Sequence, residues 1–267
     1  MIRVAIVLVA FAASLAHAEP AVSYKRLYFR GGVLHLQPLS SSRELALAGV
    51  HGPASLAVKD GPIAGSGVSL DALTIPAVIA GYVLPIGNQR LSLETVLALP
   101  IHVTFRGTGT LANMSLAAEA LGIPTGVPPL GSQLGEASAA PPLVTAVYRI
   151  ADLGPVTPYV GTGLGLLITY NARATNPVLT EVAEPTFEID PALGWVVQSG
   201  IDVALWRRVS LRLDVKYIAF MHAHASVENI QVRTPELPLF DTAKVGSATM
   251  DLAVNPLIVQ IGVGIDL

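Results

Sequence analysis

The residues of this sequence that could do chemistry are charged side chains spaced two apart within otherwise apolar segments. Arg212, Asp214 and Lys216 alternate with apolar residues. Because residues two apart lie on one face of a β-strand, opposite charges are brought together on that face. They form either a polar barrier to solutes or a salt-bridged filling of an interior, and the filling is the favoured interpretation. The residues of this set are Arg30, Glu94, His102, Arg149, Gln198, Asp202, Arg212, Asp214 and Lys216.

A second group contains the side chains of a hydrolase. His222, His224, Ser226 and Glu228 offer a nucleophile, a base and an orienting carboxylate. The spacing of His224 and Ser226 is similar to the His-x-Ser pattern of barrel lipid A deacylases. That spacing arises easily by chance, and a polar strand end rising out of a membrane is the favoured interpretation.

The sequence indicates no cofactor and no metal. His35 and His51 lack the spacing of metal ligands. Gly161, Gly163 and Gly165 lie inside a predicted strand with no helix or Lys after them, so they do not form a nucleotide loop. The chain has no Cys, which excludes disulfides, Cys-bound zinc and thiol catalysis.

The composition disfavours an ordinary soluble enzyme. Of the 267 residues, 52% are hydrophobic and only 13% are charged, whereas soluble domains carry about 25% charged residues. Disorder is excluded because apolar content is high and net charge is low. A net charge of −3 gives no basic surface for nucleic acid.

The first residues have the pattern of a secretory signal peptide. Arg3 supplies a positive charge, residues 4–13 are apolar, and Ala16 and Ala18 flank a small-x-small cleavage site. We expect residues 1–18 to be removed and residues 19–267 to form the mature chain. A membrane anchor is the alternative, but the apolar run is shorter than the roughly 20 residues of a spanning helix.

The mature chain alternates apolar and polar residues, which predicts strands rather than helices. No uninterrupted apolar run of 18 residues follows the signal peptide. Eight strands are predicted, at about residues 27–38, 68–84, 91–106, 142–150, 158–171, 193–205, 210–222 and 247–267.

A membrane barrel explains these strands better than a soluble sandwich does. The apolar faces are longer than the roughly 5–6 residues of soluble strands, and short connections alternate with long ones. An even strand number with short turns at one end is the outer-membrane pattern. The long, extracellular loops are predicted at about residues 39–67, 107–141, 172–192 and 223–246.

The mature chain resembles the outer-membrane protein W (OmpW) family. The most specific match is residues 158–163 (PYVGTG), which are similar to the family's Pro-Tyr-Val-Gly-Ala-Gly signature. Residues 94–100 (ETVLALP), 141–143 (PPL), 198–202 (QSGID) and 255–256 (NP) resemble family motifs in the same order. The resemblance implies an all-β, eight-stranded antiparallel transmembrane up-and-down β-barrel in the bacterial outer membrane.

The resemblance also implies passive, porin-like transport of small hydrophobic molecules rather than catalysis. Its partners would be these solutes, outer-membrane lipid and lipopolysaccharide, and the barrel-assembly machinery. The chain departs from the family at Leu267, where such barrels usually end in Phe, and at Leu193, near the position of a gating Trp in some members.

An eight-stranded barrel leaves room inside only for side chains or one small ligand. The charged set above would form a polar floor, because an Arg or Lys facing lipid at mid-depth costs about 2–4 kcal/mol. Smaller and apolar residues would leave a smooth, hydrophobic lumen above that floor. These residues are Leu34, Leu36, Tyr159, Gly161, Gly163, Gly165 and Leu193.

Three prolines, Pro76, Pro100 and Pro256, lie inside predicted strands. Because proline cannot donate to a sheet, each one removes a hydrogen bond or forces a bulge. A device for strand curvature is the favoured interpretation. The alternative is a weak seam through which an apolar solute leaves sideways into lipid.

The connection at residues 107–141 is too apolar for a solvated loop. Residues 111–121 could form a short helix, and the segment could gather hydrophobic solutes at the cell surface. A disordered or lipopolysaccharide-contacting loop is the alternative. A structural or adhesive barrel, whose loops bind a host or a phage, remains a third class of function.

Overall fold

Strands dominate the structure, as the alternating sequence predicts. The computed structural model describes residues 26–39, 41–219, 221–237 and 239–267, and the predicted signal peptide lies outside them. The described residues form nineteen strands. They are, in chain order, β1 (Leu27–Pro38), β2 (Ser41–Ser42), β3 (Ala46–Ala48), β4 (Gly61–Pro62), β5 (Ser66–Leu70), β6 (Leu73–Val83), β7 (Leu91–Ala98), β8 (Ile101–Gly109), β9 (Glu119–Ala120), β10 (Ile123–Pro124), β11 (Gln133–Ala140), β12 (Leu143–Arg149), β13 (Val156–Ala174), β14 (Thr186–Ile189), β15 (Ala192–Trp206), β16 (Val209–Ala219), β17 (His222–Arg233), β18 (Thr242–Ala253) and β19 (Pro256–Asp266).

Eight of these strands close into a ring. The order around the ring is β1, β6, β7, β12, β13, β15, β16 and β19, and β19 pairs with β1 again. Every neighbouring pair is antiparallel. Closure leaves the ring without an edge strand. The prediction of an eight-stranded, antiparallel, up-and-down barrel is confirmed.

The outer surface of the ring is apolar. On β19, Ile261, Val263 and Ile265 point outward and are half exposed. Eleven residues separate Trp195 from Trp206 on β15, and both indole rings are exposed. At about 3.3 Å per residue and a tilt of about 40°, they lie about 28 Å apart along the barrel axis. That spacing matches the roughly 25 Å apolar band of outer-membrane barrels.

Short turns join the strands at one end of the ring, here called the turn end. They are residues 84–90, 150–155 and 207–208, and both ends of the ring's chain, Leu27 and Asp266, lie there. The opposite end, the loop end, carries all the long connections. The one-turn helices α1 (Thr110–Asn113) and α2 (Pro177–Thr180) and a 3-10 turn (Gly52–Leu56) belong to it. Among the described residues, no helix combines the length and apolar character needed to cross a bilayer.

Three of the predicted strands are interrupted. The predicted strand 68–84 divides into β5 and β6, 91–106 into β7 and β8, and 247–267 into β18 and β19. At Leu99 and Pro100 the interruption also reverses the alternation, since Glu94 is buried before it and Ile101 and Phe105 after it. Proline's missing N–H explains why the ladder stops there.

The long connections are built largely of further sheet. Beyond the ring, β13 continues to pair with β11. The sheet then continues from β11 to β8 and from β8 to β5. A second sheet has the order β14, β17, β18, β3 and β4, with β2 also paired to β18. The expected helix at residues 111–121 is limited to the single turn of α1. The apolar residues of the connections bury one another between these two sheets.

Candidate functional site

The interior of the ring at the turn end is filled by charge pairs centred on Arg212. Its Nη1 lies 2.7 Å from Glu94 Oε1. Its Nε and Nη2 bind the two oxygens of Asp202 at 2.7 and 2.8 Å. These contacts join β16 to both β15 and β7, so the Arg212 guanidinium connects strands from different sides of the ring. Bidentate pairs of this kind are among the stronger charge-assisted hydrogen bonds.

Asp214 forms a second centre beside the first. Lys216 Nζ lies 2.6 Å from Asp214 Oδ1, and the Tyr159 hydroxyl donates to Asp214 Oδ2 over 2.7 Å. Gln198 Nε2 donates to the same oxygen over 2.6 Å and to Glu94 Oε2 over 3.1 Å. The Gln198 amide therefore links the two centres into one network.

Tyr28 and Arg30 complete the network nearest the turn end. Arg30 Nη2 lies 2.7 Å from Asp266 Oδ1, and the Tyr28 hydroxyl donates to Glu94 Oε1 over 2.6 Å. The guanidinium carbons of Arg30, Arg149 and Arg212 lie 4.7, 5.4 and 5.8 Å from the centre of the Tyr28 ring. An aromatic face attracts cations at such distances.

We call this network the floor. Its charged members are all buried, and four cations balance four anions. The floor closes the described ring at the turn end without leaving net charge inside it. It consists of Tyr28, Arg30, Glu94, Arg149, Tyr159, Gln198, Asp202, Arg212, Asp214, Lys216 and Asp266.

Two of the sequence-predicted interior residues lie elsewhere. The predicted inward position of His102 is wrong, because the interruption at Leu99 and Pro100 turns its ring outward, 3.4 Å from Ser138 Oγ. The predicted inward position of Leu193 is also wrong. Gln198 and Asp202 face the interior from even-numbered positions of β15, so odd-numbered Leu193 points outward and is 60% exposed.

Four other interior residues differ from the sequence prediction in their role or are absent from it. Tyr159, expected in the smooth lumen, is part of the floor through its hydroxyl. Tyr28, Asp266 and Gln260 are buried inside the ring and were not predicted as site residues. The sequence does indicate their inward positions, because each shares the inward alternation of β1 or β19.

Above the floor the interior becomes apolar. Leu34, Leu36, Ile218 and Ile258 follow the charged residues on the same strands, and all pack in the main apolar cluster. Leu36, Ile218 and Ile258 line a cavity of about 70 Å³, here called the lower cavity.

The glycine row of β13 brings strands together beside this cavity. A Cβ at Gly163 would overlap the Val144 carbonyl oxygen on β12. At Gly165 it would reach the side chain of Leu143, which lines the lower cavity. Gly161 lies next to the floor, where a Cβ would contact Val147 and Gln198.

A second apolar cavity lies between the two sheets of the loop end. This upper cavity measures about 70 Å³, and Leu111, Leu116, Leu130 and Leu134 of the long connection line it. Phe105 lines both the upper and the lower cavity. Phe105 therefore lies between the two spaces, and its ring meets that of Phe187 edge-on at 5.3 Å.

Pairing between the ring strands is incomplete beside the lower cavity. Pairing of β6 with β7 ends at Ala77 and Ala98, and pairing of β7 with β12 ends at Thr95 and Val144. A space of about 760 Å³ lies there, called here the wall opening. Its lining includes the buried Ala77 as well as the exposed Leu97 and Leu99. Its lining is Gly32, Pro76, Ala77, Val78, Val96, Leu97, Ala98, Leu99, Ala140, Pro141, Pro142 and Ile168.

The three prolines of the suggested seam do not lie together. Pro76 lines the wall opening, and Pro100 follows Leu99 at its margin. Pro256 instead begins β19 and pairs with Pro38 of β1, away from the opening. Pro141, which was not predicted as part of a seam, lines both the opening and the lower cavity.

The hydrolase-like group lies outside the ring, on β17 and β18. His224 Nδ1 is 2.9 Å from Asp251 Oδ1, and this hydrogen bond holds the pKa of the Asp251 carboxyl below its usual value. Glu228 pairs with Thr186 in the sheet, and among the described residues no hydrogen bond joins it to His224. In the described part of the chain, no hydrogen bond joins Ser226 to His224, and no cluster of three metal-ligating side chains occurs.

Comparison with protein families gives one match over most of the chain. The OmpW family matches residues 44–267. Two curated proteins are each 24% identical to this chain over 136 residues. They are "Dibenzothiophene metabolism operon protein PahQ" of Pseudomonas aeruginosa and "Dibenzothiophene metabolism operon protein DoxH" of Pseudomonas sp. (strain C18). That alignment covers 51% of this chain and 51% of each relative, so the chain spans about half the length of these relatives.

Two solved structures share the fold. The outer membrane protein OprG from Pseudomonas aeruginosa superimposes with a TM-score of 0.66 at 17% identity, covering 92% of this chain and 98% of OprG. The outer membrane protein AlkL, determined in DMPC bilayers, gives a TM-score of 0.52 at 16% identity, covering 93% of this chain and 94% of AlkL.

Proposed function

The chain belongs to the OmpW family of bacterial outer-membrane barrels, and from this premise we propose that it mediates passive uptake of small hydrophobic molecules. In this proposal a solute enters at the loop end, crosses the upper and lower cavities, and leaves sideways through the wall opening into lipid. The floor prevents it from passing straight through the ring.

The orientation in the membrane follows from the connections. Outer-membrane barrels have short turns on the periplasmic side and long loops outside. The turn end with the floor therefore faces the periplasm, and the loop end meets lipopolysaccharide and the medium. The barrel-assembly machinery would insert the chain in this orientation.

One observation supports the proposal: three apolar spaces follow one another from the loop end to the outer face of the ring, and each shares a lining residue with the next. Phe105 lines both cavities, and Pro141 lines both the lower cavity and the wall opening. An apolar solute gains about 25 cal/mol per Å² of surface removed from water. It can therefore follow this path from the medium to the bilayer without an unfavourable apolar-to-water step.

The floor explains why exit would be lateral. Its charges are balanced and paired, and removing one partner of a buried pair costs about 3–5 kcal/mol. An apolar solute offers no group to replace those contacts. The route out of the lower cavity that costs the least free energy is then the wall opening, because both its lining and the lipid beyond it are apolar.

The curated relatives fit this substrate class. Their description connects PahQ and DoxH with dibenzothiophene metabolism. Dibenzothiophene is an apolar polycycle, so naphthalene is a suitable small probe for this chain.

Uptake can be tested in cells that lack or carry the protein. Naphthalene should enter faster when the protein is present, and naphthalene-2-sulfonate should not, because its charge opposes passage through apolar cavities. Deleting residues 111–121 should slow naphthalene uptake while leaving the folded barrel heat-modifiable on gels. Equal naphthalene uptake with and without the protein would refute the proposal.

Lateral exit can be tested with single cysteines, since the chain has none of its own. Leu99→Cys places a thiol at the wall opening, and Leu193→Cys places one on the far side of the ring; both side chains are well exposed. A bulky, lipid-soluble maleimide on Leu99→Cys should reduce uptake several-fold. The same label on Leu193→Cys should leave uptake unchanged. Equal effects at both positions would count against lateral exit.

The alternatives predict other outcomes. An adhesive barrel predicts that exchanging loop-end segments moves binding to a host or phage without changing uptake. A deacylase predicts that Ser226→Ala alters the mass of lipid A. We expect no such change, because His224 is hydrogen-bonded to Asp251 and not to Ser226.

A further inference from the structure

The Gln260 side chain is a buried polar group that the floor does not use. It projects inward from β19, paired with Leu34 of β1 and Asp214 of β16, and is 1% exposed. Within the described residues, neither its amide nitrogen nor its amide oxygen has a hydrogen-bond partner. Buried polar groups in native proteins are normally paired, so this one calls for an explanation.

Gln260 lies at the boundary between the floor and the lower cavity. Ile258, two residues earlier on the same face, lines that cavity, whereas Asp214 beside it belongs to the floor. Gln198 lies at the level of Ile258, one inward position nearer the loop end than Gln260, because Gln198 and Ile258 both pair with Lys216 of β16. The amide oxygen of Gln198 is also buried without a partner in the described part of the chain.

The boundary therefore offers one donor, the Gln260 amide nitrogen, and two acceptors, the amide oxygens of Gln260 and Gln198, beneath an apolar space. We infer that the lower cavity ends in a polar subsite, where Gln260 and Gln198 hold a hydroxyl group of an otherwise apolar molecule. A hydroxyl both donates and accepts, so it can use an amide oxygen and the Gln260 nitrogen together. The inference rests on the proposed uptake function and refines its substrate class.

The charge balance of the floor selects a neutral group. Four buried cations already match four buried anions, so a carboxylate or ammonium in this subsite would add an unpaired charge in a poorly solvated place. Burying such a charge is strongly unfavourable. The subsite suits alcohols and phenols rather than fatty acids or amines.

The test uses two ligands with one scaffold, naphthalene and 2-naphthol, and the full protein in nanodiscs. Binding is measured by ligand fluorescence and corrected for partition into empty nanodiscs. We expect 2-naphthol to bind about fivefold more tightly than naphthalene, the usual effect of one net hydrogen bond. Gln260→Leu should abolish that preference and leave naphthalene binding unchanged. Gln37→Leu, on an exposed side chain of β1, should keep it.

The outcomes separate this inference from the uptake proposal. Equal affinity for the two ligands in the wild type, or an unchanged preference in Gln260→Leu, overturns the subsite while naphthalene uptake stands. If neither ligand binds above empty nanodiscs, both the subsite and the uptake proposal fail. The comparison of ligands on the wild type decides the question even if Gln260→Leu does not fold.

Discussion

The floor and the lower cavity are built by the same strands, yet one is a network of charges and the other is apolar. On β16 the inward residues run Ser210, Arg212, Asp214, Lys216 and then Ile218. On β15 the change occurs at the same level, between Gln198 and Val196. On β19 it occurs one inward position nearer the turn end, between Gln260 and Ile258.

This difference shows how a barrel separates two tasks without separate domains. The alternation fixes which residues face inward, and the residue type at each level then decides what the interior does there. Charges can be buried in the floor because each strand supplies a partner for its neighbours. Apolar residues above it leave cavities, because they have no directional contacts that would draw them together across the ring.

The largest expected effect comes from breaking the floor at its centre. Arg212→Met removes the contacts to Glu94 and Asp202 and leaves two buried carboxylates without their main partner. The barrel should lose about 3–5 kcal/mol of unfolding free energy. Denaturant unfolding in detergent, followed by the gel shift of the folded barrel, measures this loss.

The matched control is Arg173→Met, which removes the ion pair with Glu136 on the exposed surface of the loop end. An exposed pair contributes at most about 1 kcal/mol, so unfolding should hardly change. Similar losses for both variants would mean that the floor is not the more tightly coupled region.

A somewhat smaller effect is expected from joining the two cavities. Phe105→Ala removes the ring that lines both and its contact with Phe187. Stability should fall by about 3 kcal/mol, and uptake of bulkier apolar solutes should rise relative to naphthalene. Phe29→Ala, on the outer side of β1, is the control and should not alter the dependence of uptake on solute size.

The glycine row gives a still smaller and more local effect. A Cβ at Gly163 would overlap the Val144 carbonyl oxygen, whereas at Gly31 its nearest neighbour is a Val78 methyl group at 4.0 Å. Gly163→Ala should therefore cost about 1–3 kcal/mol, and Gly31→Ala should be close to neutral. Thermal unfolding of the two variants checks this. Equal melting temperatures would show that β12 and β13 can move apart freely.

The sequence predicts the floor better than the spaces above it, for a physical reason. Alternation suffices wherever a strand is uninterrupted, as in β16, and Arg212, Asp214 and Lys216 are all found inside. It fails at His102, because the interruption at Leu99 and Pro100 reverses which residues face inward. The family resemblance puts Leu193 in the lumen, whereas its alternation with Gln198 and Asp202 predicts the outward position that it has.

The loop end was beyond what alternation could predict. Its sheets pair segments far apart in the chain, such as β18 with β3, and no local pattern specifies such partners. The apolar composition of residues 107–141 did indicate that this segment is not a solvated loop. Which cavity its leucines line depends on the fold of the whole loop end.

The smallest expected effect contrasts an exposed charge pair of the loop end with the buried pairs of the floor. The hydrogen bond to His224 lowers the pKa of Asp251 in the folded state, so the pair stabilises the fold above the ordinary Asp pKa. This contribution should disappear as pH falls through the lowered pKa. Because the pair is exposed, it should amount to less than about 1 kcal/mol. Unfolding of the wild type and Asp251→Asn at pH 6 and pH 3 measures it. The two proteins should differ at pH 6 and become more alike as the pH falls below the ordinary Asp pKa; a difference that grows on acidification would contradict the assignment.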